Sequence, residues 1–143
     1  MTATCPALLV VDDDPLFRTL VRRSLAEDFS VQSVADGHAA LNTALAGPPA
    51  VIILDLNMPG WDGLRTLRAI RAEPSLSETA TLVLASGAGQ RDAELRDAGA
   101  DGVLDKSEFT CERIREVAGA LRRATVRRPL RTVRRIVPEM VEG

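Results

Sequence analysis

Three continuous apolar runs punctuate the chain, and each stops at polar residues. Ala7-Leu8-Leu9-Val10-Val11 ends in Asp12-Asp13-Asp14, Val51-Ile52-Ile53-Leu54 ends in Asp55, and Thr81-Leu82-Val83-Leu84-Ala85 ends in Ser86-Gly87. Runs this short, uncharged and rich in β-branched residues predict strands buried on both faces. Phe29 to Ala35 is short and alternating and predicts a further strand, with Asp36-Gly37 as its turn. Val103-Leu104 predicts a very short last strand, followed directly by Asp105-Lys106.

Helical spacing fills the intervals. Pro15 suits a first helical turn, and the acids before it favour the positive end of the helix dipole. Leu16, Leu20, Val21 and Leu25 then share an apolar face, with Arg18, Arg22 and Arg23 outside. A second helix is predicted from His38 to Leu45, with Ala39, Leu41 and Leu45 available for packing and Gly47-Pro48-Pro49 ending it. Asp62-Gly63 caps a third, whose Leu64, Leu67 and Ile70 face inward and which Glu73-Pro74-Ser75 closes. A weak fourth helix runs from about Gln90 to Ala98. The last begins near Ser107 or Glu108, with Phe109, Ile114, Val117 and Leu121 on its inner face. Five strands alternating with five helices at short connections predict an α/β fold, an open parallel sheet with helices on both faces. Beyond it, Pro129 and Pro138 bracket a segment too short to be a stable helix unaided, so the tail reads as a linker or an extension of the last helix.

Composition narrows the class. A chain of 143 residues that is 45% hydrophobic and 27% charged is long enough for one well-cored domain. Aromatics are only 3%, which argues against a base-stacking surface. No apolar run approaches the roughly 18 residues of a membrane span, and the start lacks the basic residues of a signal peptide. Cys5 and Cys111 are too few and too far apart for a disulfide framework or a zinc site, so reduced thiols in a cytoplasm are expected. The formal charge of −2 hides an asymmetry: residues 1–112 balance to −8, whereas nine of the 18 basic residues lie between Arg113 and Arg135. That basic stretch reads as a solvated linker face, not a nucleic-acid or membrane surface.

The polar strand ends carry the chemistry. In a parallel sheet Asp12 and Asp13, Asp55, Ser86 and Lys106 all fall at the carboxyl edge, where open α/β sheets place their ligands. Strands about 4.8 Å apart let such side chains converge if the strands are neighbours. Two carboxylates 4 Å apart repel by about 4 kcal/mol at an effective dielectric of ~20, so the cluster must take up protons, bind a cation or pair with a base. Oxygen ligands without His or Cys suit Mg²⁺ in particular. A carboxylate nucleophile at Asp55, with a metal and Lys106 to neutralise developing charge and Ser86 to meet a phosphoryl oxygen, is a site for accepting a phosphoryl group.

Val10-Val11-Asp12-Asp13-Asp14-Pro15, Leu54-Asp55-Leu56-Asn57-Met58-Pro59-Gly60-Trp61-Asp62-Gly63, Ser86-Gly87 and Lys106 together resemble the receiver domain of two-component response regulators. The resemblance covers residues 7 to about 124 and leaves 125–143 as a basic tail. It implies a flavodoxin-like, doubly wound five-stranded sheet of order 2-1-3-4-5, the topology for which the chemotaxis regulator of this family is a standard example. It also implies that Asp55 is the phosphoacceptor and that Asp13, Asp55 and the backbone carbonyl of Asn57 hold Mg²⁺, with Asp12 assisting through water. Ser86 then stands at the position of the switching hydroxyl and Lys106 at that of the family's lysine, while Asp14 matches no ligand position. The implied donor is a sensor histidine kinase or a phosphotransfer protein, and a downstream protein or output domain receives the signal. Pairing through the fourth helix, fifth strand and fifth helix would make a homodimer possible.

Two departures bear on activation. Val103 replaces the aromatic residue common on the last strand, and Ser107 replaces the usual proline after the lysine. Activation is therefore expected mainly as a shift of residues 86–98, where Gly87-Ala88-Gly89 frees the backbone. Other functions fit less well. A flavodoxin-like carrier would need a glycine- and hydroxyl-rich phosphate loop where three aspartates stand. A dedicated phosphohydrolase would need a second acid at Asn57. A DNA-binding output has no room after residue 124, so the chain reads as a stand-alone receiver or as the receiver part of a larger regulator.

Overall fold

In a computed structural model of the chain, residues 5–86 and 91–125 are described. Five strands, β1 (Ala7–Val11), β2 (Ser30–Val34), β3 (Val51–Asp55), β4 (Ala80–Ala85) and β5 (Gly102–Asp105), form one all-parallel sheet in the order β2-β1-β3-β4-β5. Among the described residues five α-helices alternate with them: α1 (Pro15–Leu25), α2 (Gly37–Ala46), α3 (Gly63–Arg71), α4 (Asp92–Asp97) and α5 (Cys111–Thr125). The expected α/β class, sheet order and helix number all hold. Residues 87–90 and those after Thr125, with the expectations placed on them, lie outside the described residues.

Successive strand residues feed opposite cores, as the two-residue period of a strand requires. Leu9, Val11, Ile52, Leu54 and Val83 meet Ala40, Ala44, Leu67, Ile70 and Leu95 of α2, α3 and α4. Leu8, Val10, Val51, Ile53, Leu82, Leu84 and Leu104 meet Val21 and Leu25 of α1 and Ile114 and Ala118 of α5. Every residue of β3 is buried, which explains why its sequence is an unbroken apolar run. Each such side chain removed from water contributes about 1.5–3 kcal/mol, so the two layers hold the strand ends firmly.

Three helix faces differ from the expected ones. On α1 the inward stripe is Phe17, Val21 and Leu25, while Leu16 and Leu20 are 79% and 40% exposed. Either leucine stripe or aromatic stripe satisfies helical spacing; the Phe17 stripe wins because it meets Phe109 beyond β5. On α2 the buried pair is Ala40 and Ala44, whereas Leu45 points outward and Ala39 and Leu41 are half-buried. The final helix starts later than expected. Lys106–Glu108 is a turn of 3-10 helix, because the Asp105 carboxylate accepts both the backbone N–H and the hydroxyl of Ser107. Phe109 is then extended, and Thr110 caps α5 by accepting the N–H of Arg113 through its hydroxyl. Phe109 therefore belongs to a connection and not to the inner face of α5. Smaller shifts, such as α4 covering 92–97 instead of about 90–98, lie within the usual fraying of helix ends.

The amino edge of the sheet holds a buried ion pair that no local pattern announces. Arg71, 2% exposed, donates to Asp101 Oδ2 at 2.7 Å, the hydroxyl of Thr81 at 3.0 Å and the carbonyls of Gly99 and Leu76 at 2.9 and 3.2 Å. Asp101 also accepts the Thr81 N–H at 2.8 Å. This cluster joins the end of α3 to the starts of β4 and β5, at the edge opposite the acidic strand ends.

Candidate functional site

The strand order makes β1 and β3 neighbours, and their register pairs Val11 with Leu54. The next residues, Asp12 and Asp55, therefore leave the sheet side by side. Asp12, Asp13 and Asp55 each offer a carboxylate oxygen, and these oxygens lie within 4.8 Å of one another. Asp12 is fully buried and Asp55 is 3% exposed, whereas Asp13 faces solvent. The cluster thus combines two buried acids with one open to solvent.

Local backbone contacts hold each acid in place. Asp12 accepts the Asp14 N–H at 2.9 Å, and Asp14 caps α1 by accepting the Leu16 N–H at 2.9 Å. Asp14 thus serves the helix, in keeping with its reading as a residue outside the ligand set. Arg18, expected on the outer face of α1, instead is half-buried and donates to the Asp12 carbonyl at 2.7 Å. Asp55 accepts the Asn57 N–H at 3.3 Å, and the chain then turns at Gly60, whose φ of +73° suits glycine. Gly63 closes the turn by donating to the Leu56 carbonyl at 2.8 Å. A Cβ on Gly63 would lie 2.5 Å from the Leu56 Cα and 2.6 Å from the Asp55 carbonyl oxygen, so α3 starts directly against the strand end that carries Asp55.

Lys106, the first residue after β5, reaches across β4 to the acids. Its ammonium donates to Asp12 Oδ2 at 2.9 Å and lies 3.5 Å from Asp55 Oδ2. Burial alone would lower the lysine's pKa, but the hydrogen bond to Asp12 and the charges of Asp12 and Asp55 together raise it. The Asp55 carboxyl is also raised above its ordinary value. Burial is the main cause, the neighbouring Asp12 carboxylate adds to it, and Lys106 and the Asn57 N–H oppose it without cancelling it. One ammonium against three carboxylates leaves the cluster with two uncompensated negative charges, a deficit that a divalent cation matches.

The remaining expected residues sit around this cluster. Ser86 follows β4 at the same edge and is exposed. Asn57 is exposed at the mouth, next to buried Leu56 and Met58. Trp61, half-buried in the same turn, meets the edge of His38 at 5.5 Å between ring centroids and carries the Arg65 guanidinium 4.4 Å from its own. His38 is exposed and stands apart from the acids, as expected of a surface helix residue. Val103 is half-buried on β5 and offers no ring or hydroxyl. Residues that sequence reasoning overlooked are Arg18 and Phe17, whose ring centroid lies 4.5 Å from the Lys106 ammonium. Neither stands at a strand end, and only the phase of α1 reveals them.

No helix among the described residues is long and apolar enough to cross a membrane. Comparison with known proteins agrees with the geometry. The chain is 38% identical over 117 residues to a nitrate/nitrite response regulator protein homolog of Haemophilus influenzae, covering 78% of this chain and 56% of that protein. It is 37% identical over 121 residues to the transcriptional regulatory protein PrrA of Mycobacterium tuberculosis, covering 84% of this chain and 52% of that one. The chain thus spans about half the length of these curated relatives. Among solved structures, the chemotaxis response regulator CheY4 of Vibrio cholerae matches with a TM-score of 0.77 at 29% identity, over 82% of this chain and 99% of that one. A putative response regulator from Chloroflexus aurantiacus matches with a TM-score of 0.78 at 25% identity, over 83% and 98%. The family model for the response regulator receiver domain matches residues 8–118, from the first buried strand to the inner face of α5, and the chain belongs to that family.

Proposed function

We propose that Asp55 accepts a phosphoryl group from a phosphohistidine donor, a sensor histidine kinase or a phosphotransfer protein, in a Mg²⁺-dependent step. The observation that carries this reading is the shared reach of Lys106 toward Asp12 and Asp55, two buried acids on neighbouring strands, with the exposed Asp13 carboxylate beside them. An Asp55 oxygen attacks phosphorus as the nitrogen–phosphorus bond of the donor breaks, and the phosphoryl group moves intact to the carboxylate. Lys106 is within reach to neutralise charge on the equatorial oxygens, and Ser86 supplies a hydroxyl at the same edge.

The donor set fits Mg²⁺, since Asp12, Asp13 and Asp55 bring carboxylate oxygens within 4.8 Å of one another; by the family resemblance Asp13, Asp55 and the Asn57 carbonyl would be the ligands, with Asp12 assisting through water. A divalent ion held there would supply positive charge to offset the carboxylates and to polarise phosphoryl oxygens beside Asp55. The protein is a switch that catalyses only its own phosphorylation and dephosphorylation, in the cytoplasm, and modification alters the surface presented to a downstream protein or output domain. The assigned domain is residues 7–124, with 125–143 read as a basic tail or linker. The half-length match to longer regulators supports a second arrangement, in which this receiver is the amino-terminal part of a larger, DNA-binding regulator.

Incubation with acetyl phosphate tests the chemistry. One base-labile phosphoryl group per chain should accumulate with Mg²⁺ and not with EDTA, and Lys106→Ala and Asp13→Asn should each slow it at least tenfold. Labelling that ignores Mg²⁺ would count against the metal-assisted step.

A further inference from the structure

The Lys106 ammonium has three neighbours of two kinds. Asp12 at 2.9 Å and Asp55 at 3.5 Å hold it by charge, and the face of Phe17, 4.5 Å from ammonium to ring centroid, holds it from α1. An aromatic face attracts a cation through its quadrupole, and at this distance the contact is well inside the working range of such pairs. The two attractions differ in direction. A carboxylate fixes the ammonium at one hydrogen-bonded point, whereas a ring face offers a broad seat that tolerates displacement.

The ring is itself clamped. Phe109 lies 4.9 Å away between centroids, tilted by 57°, a favourable arrangement for two aromatics. It reaches Phe17 because the Asp105-capped 3-10 turn begins at Lys106 itself and leaves Phe109 extended. The segment that carries the lysine therefore also supplies the residue that fixes the ring beneath it. On the other side, Arg18 ties the next position of α1 to the Asp12 carbonyl. Phe17 and Arg18 thus dock the first turn of α1 onto the lysine and onto the end of β1 at once.

We propose that Phe17 is a positioning residue for Lys106: its ring, backed by Phe109, seats the ammonium over the carboxylates and keeps it there as charge shifts from Asp55 to an incoming phosphoryl group. The seat rests on the geometry alone, and its role in phosphorylation rests on the phosphoacceptor reading above. Ordinary core packing of Phe17 makes a different prediction, because packing depends on the ring's shape and the seat depends on its electron density.

Site-specific replacement of Phe17 by 3,4,5-trifluorophenylalanine separates the two, since fluorine weakens the quadrupole while nearly conserving the ring. The expected result is a phosphorylation rate with acetyl phosphate about two- to fivefold lower, at an unchanged melting temperature. The penalty should disappear in a Lys106→Met background, where no cation remains to be seated. Phe17→Leu should slow the reaction at least as much, and Phe17→Tyr should restore it. Independently of any phosphorylation, the Lys106 ε-methylene protons should show an upfield ring-current shift that Phe17→Leu abolishes. A missing ring-current shift, an unchanged rate after fluorination, or the same penalty in the Lys106→Met background would overturn the proposal. A wild-type protein with the shift that takes no phosphoryl group would overturn the phosphoacceptor reading instead and leave the seat demonstrated.

Discussion

Asp55 is costly to keep ionised where it stands: burial and the Asp12 carboxylate both act against its charge, and Lys106 offsets only part of this. The folded carboxyl therefore holds its proton more tightly than the unfolded one. Between the ordinary value of 3.8 and its raised folded value, the folded state binds more protons, so stability falls as pH rises through that window. Above the window the penalty is fully present; below 3.8 it is absent. Asp55→Asn should accordingly melt a few degrees higher than wild type at neutral pH without Mg²⁺, and the gap should close toward pH 3. Millimolar Mg²⁺ should raise the wild-type melting temperature by mass action and leave the variant almost unmoved. Equal melting of the two proteins in EDTA at neutral pH would contradict this electrostatic account. Asp12, Asp13, Asp55 and Lys106 were legible in the sequence because a polar residue ending a buried run has a defined place, the carboxyl edge. Phe17 and Arg18 were not, because nothing local distinguishes the phase of α1 that buries Phe17 from the one that buries Leu16 and Leu20.

The elements matter chiefly through how closely they meet. α3 begins against the backbone of Asp55 and Leu56, with Gly63 as the point of contact. Alanine there gains up to about 1 kcal/mol in helix propensity, yet its Cβ would collide with backbone atoms that cannot rotate aside. Overpacking of this kind costs about 1–3 kcal/mol, so the steric term wins. Gly63→Ala should lower stability by that amount and slow phosphorylation, since the displaced strand end carries Asp55, the proposed acceptor; a variant as stable as wild type would show that α3 can move away freely. Asp62-Gly63 was readable as a cap, and Asp62 does accept the Arg65 N–H. The packing role of Gly63 was hidden because it depends on the strand end at Asp55 and Leu56 lying directly against the start of α3. The start of α5 was misjudged for a related reason. Asp105 and Ser107 close a local turn whose geometry outcompetes the helix that Ser107 or Glu108 was expected to begin.

Across the whole molecule, chemistry and anchoring occupy opposite edges of one sheet. The carboxyl edge gathers exposed or charge-strained groups, and the amino edge is tied by Arg71 and Asp101, both nearly inaccessible to water. Removing one partner of a buried, multiply hydrogen-bonded pair leaves the other charge unsatisfied and typically costs about 3–5 kcal/mol. Arg71→Leu should lose stability on that scale, while the protein that remains folded should keep the proposed Mg²⁺-dependent phosphorylation; a loss below about 1 kcal/mol would show the pair to be incidental. The sheet order itself could be anticipated only through the family resemblance, since strand patterns alone leave neighbours undefined. The Arg71 cluster joins residues about thirty positions apart, a pairing that no local pattern could announce. What most directly tests the account is where the phosphoryl group goes. After reaction with acetyl phosphate and Mg²⁺, peptide mass spectrometry should find a single phosphoryl group on Asp55, and Asp55→Asn should carry none there. A phosphoryl group on His38 or on a serine, with Asp55 unmodified, would contradict it.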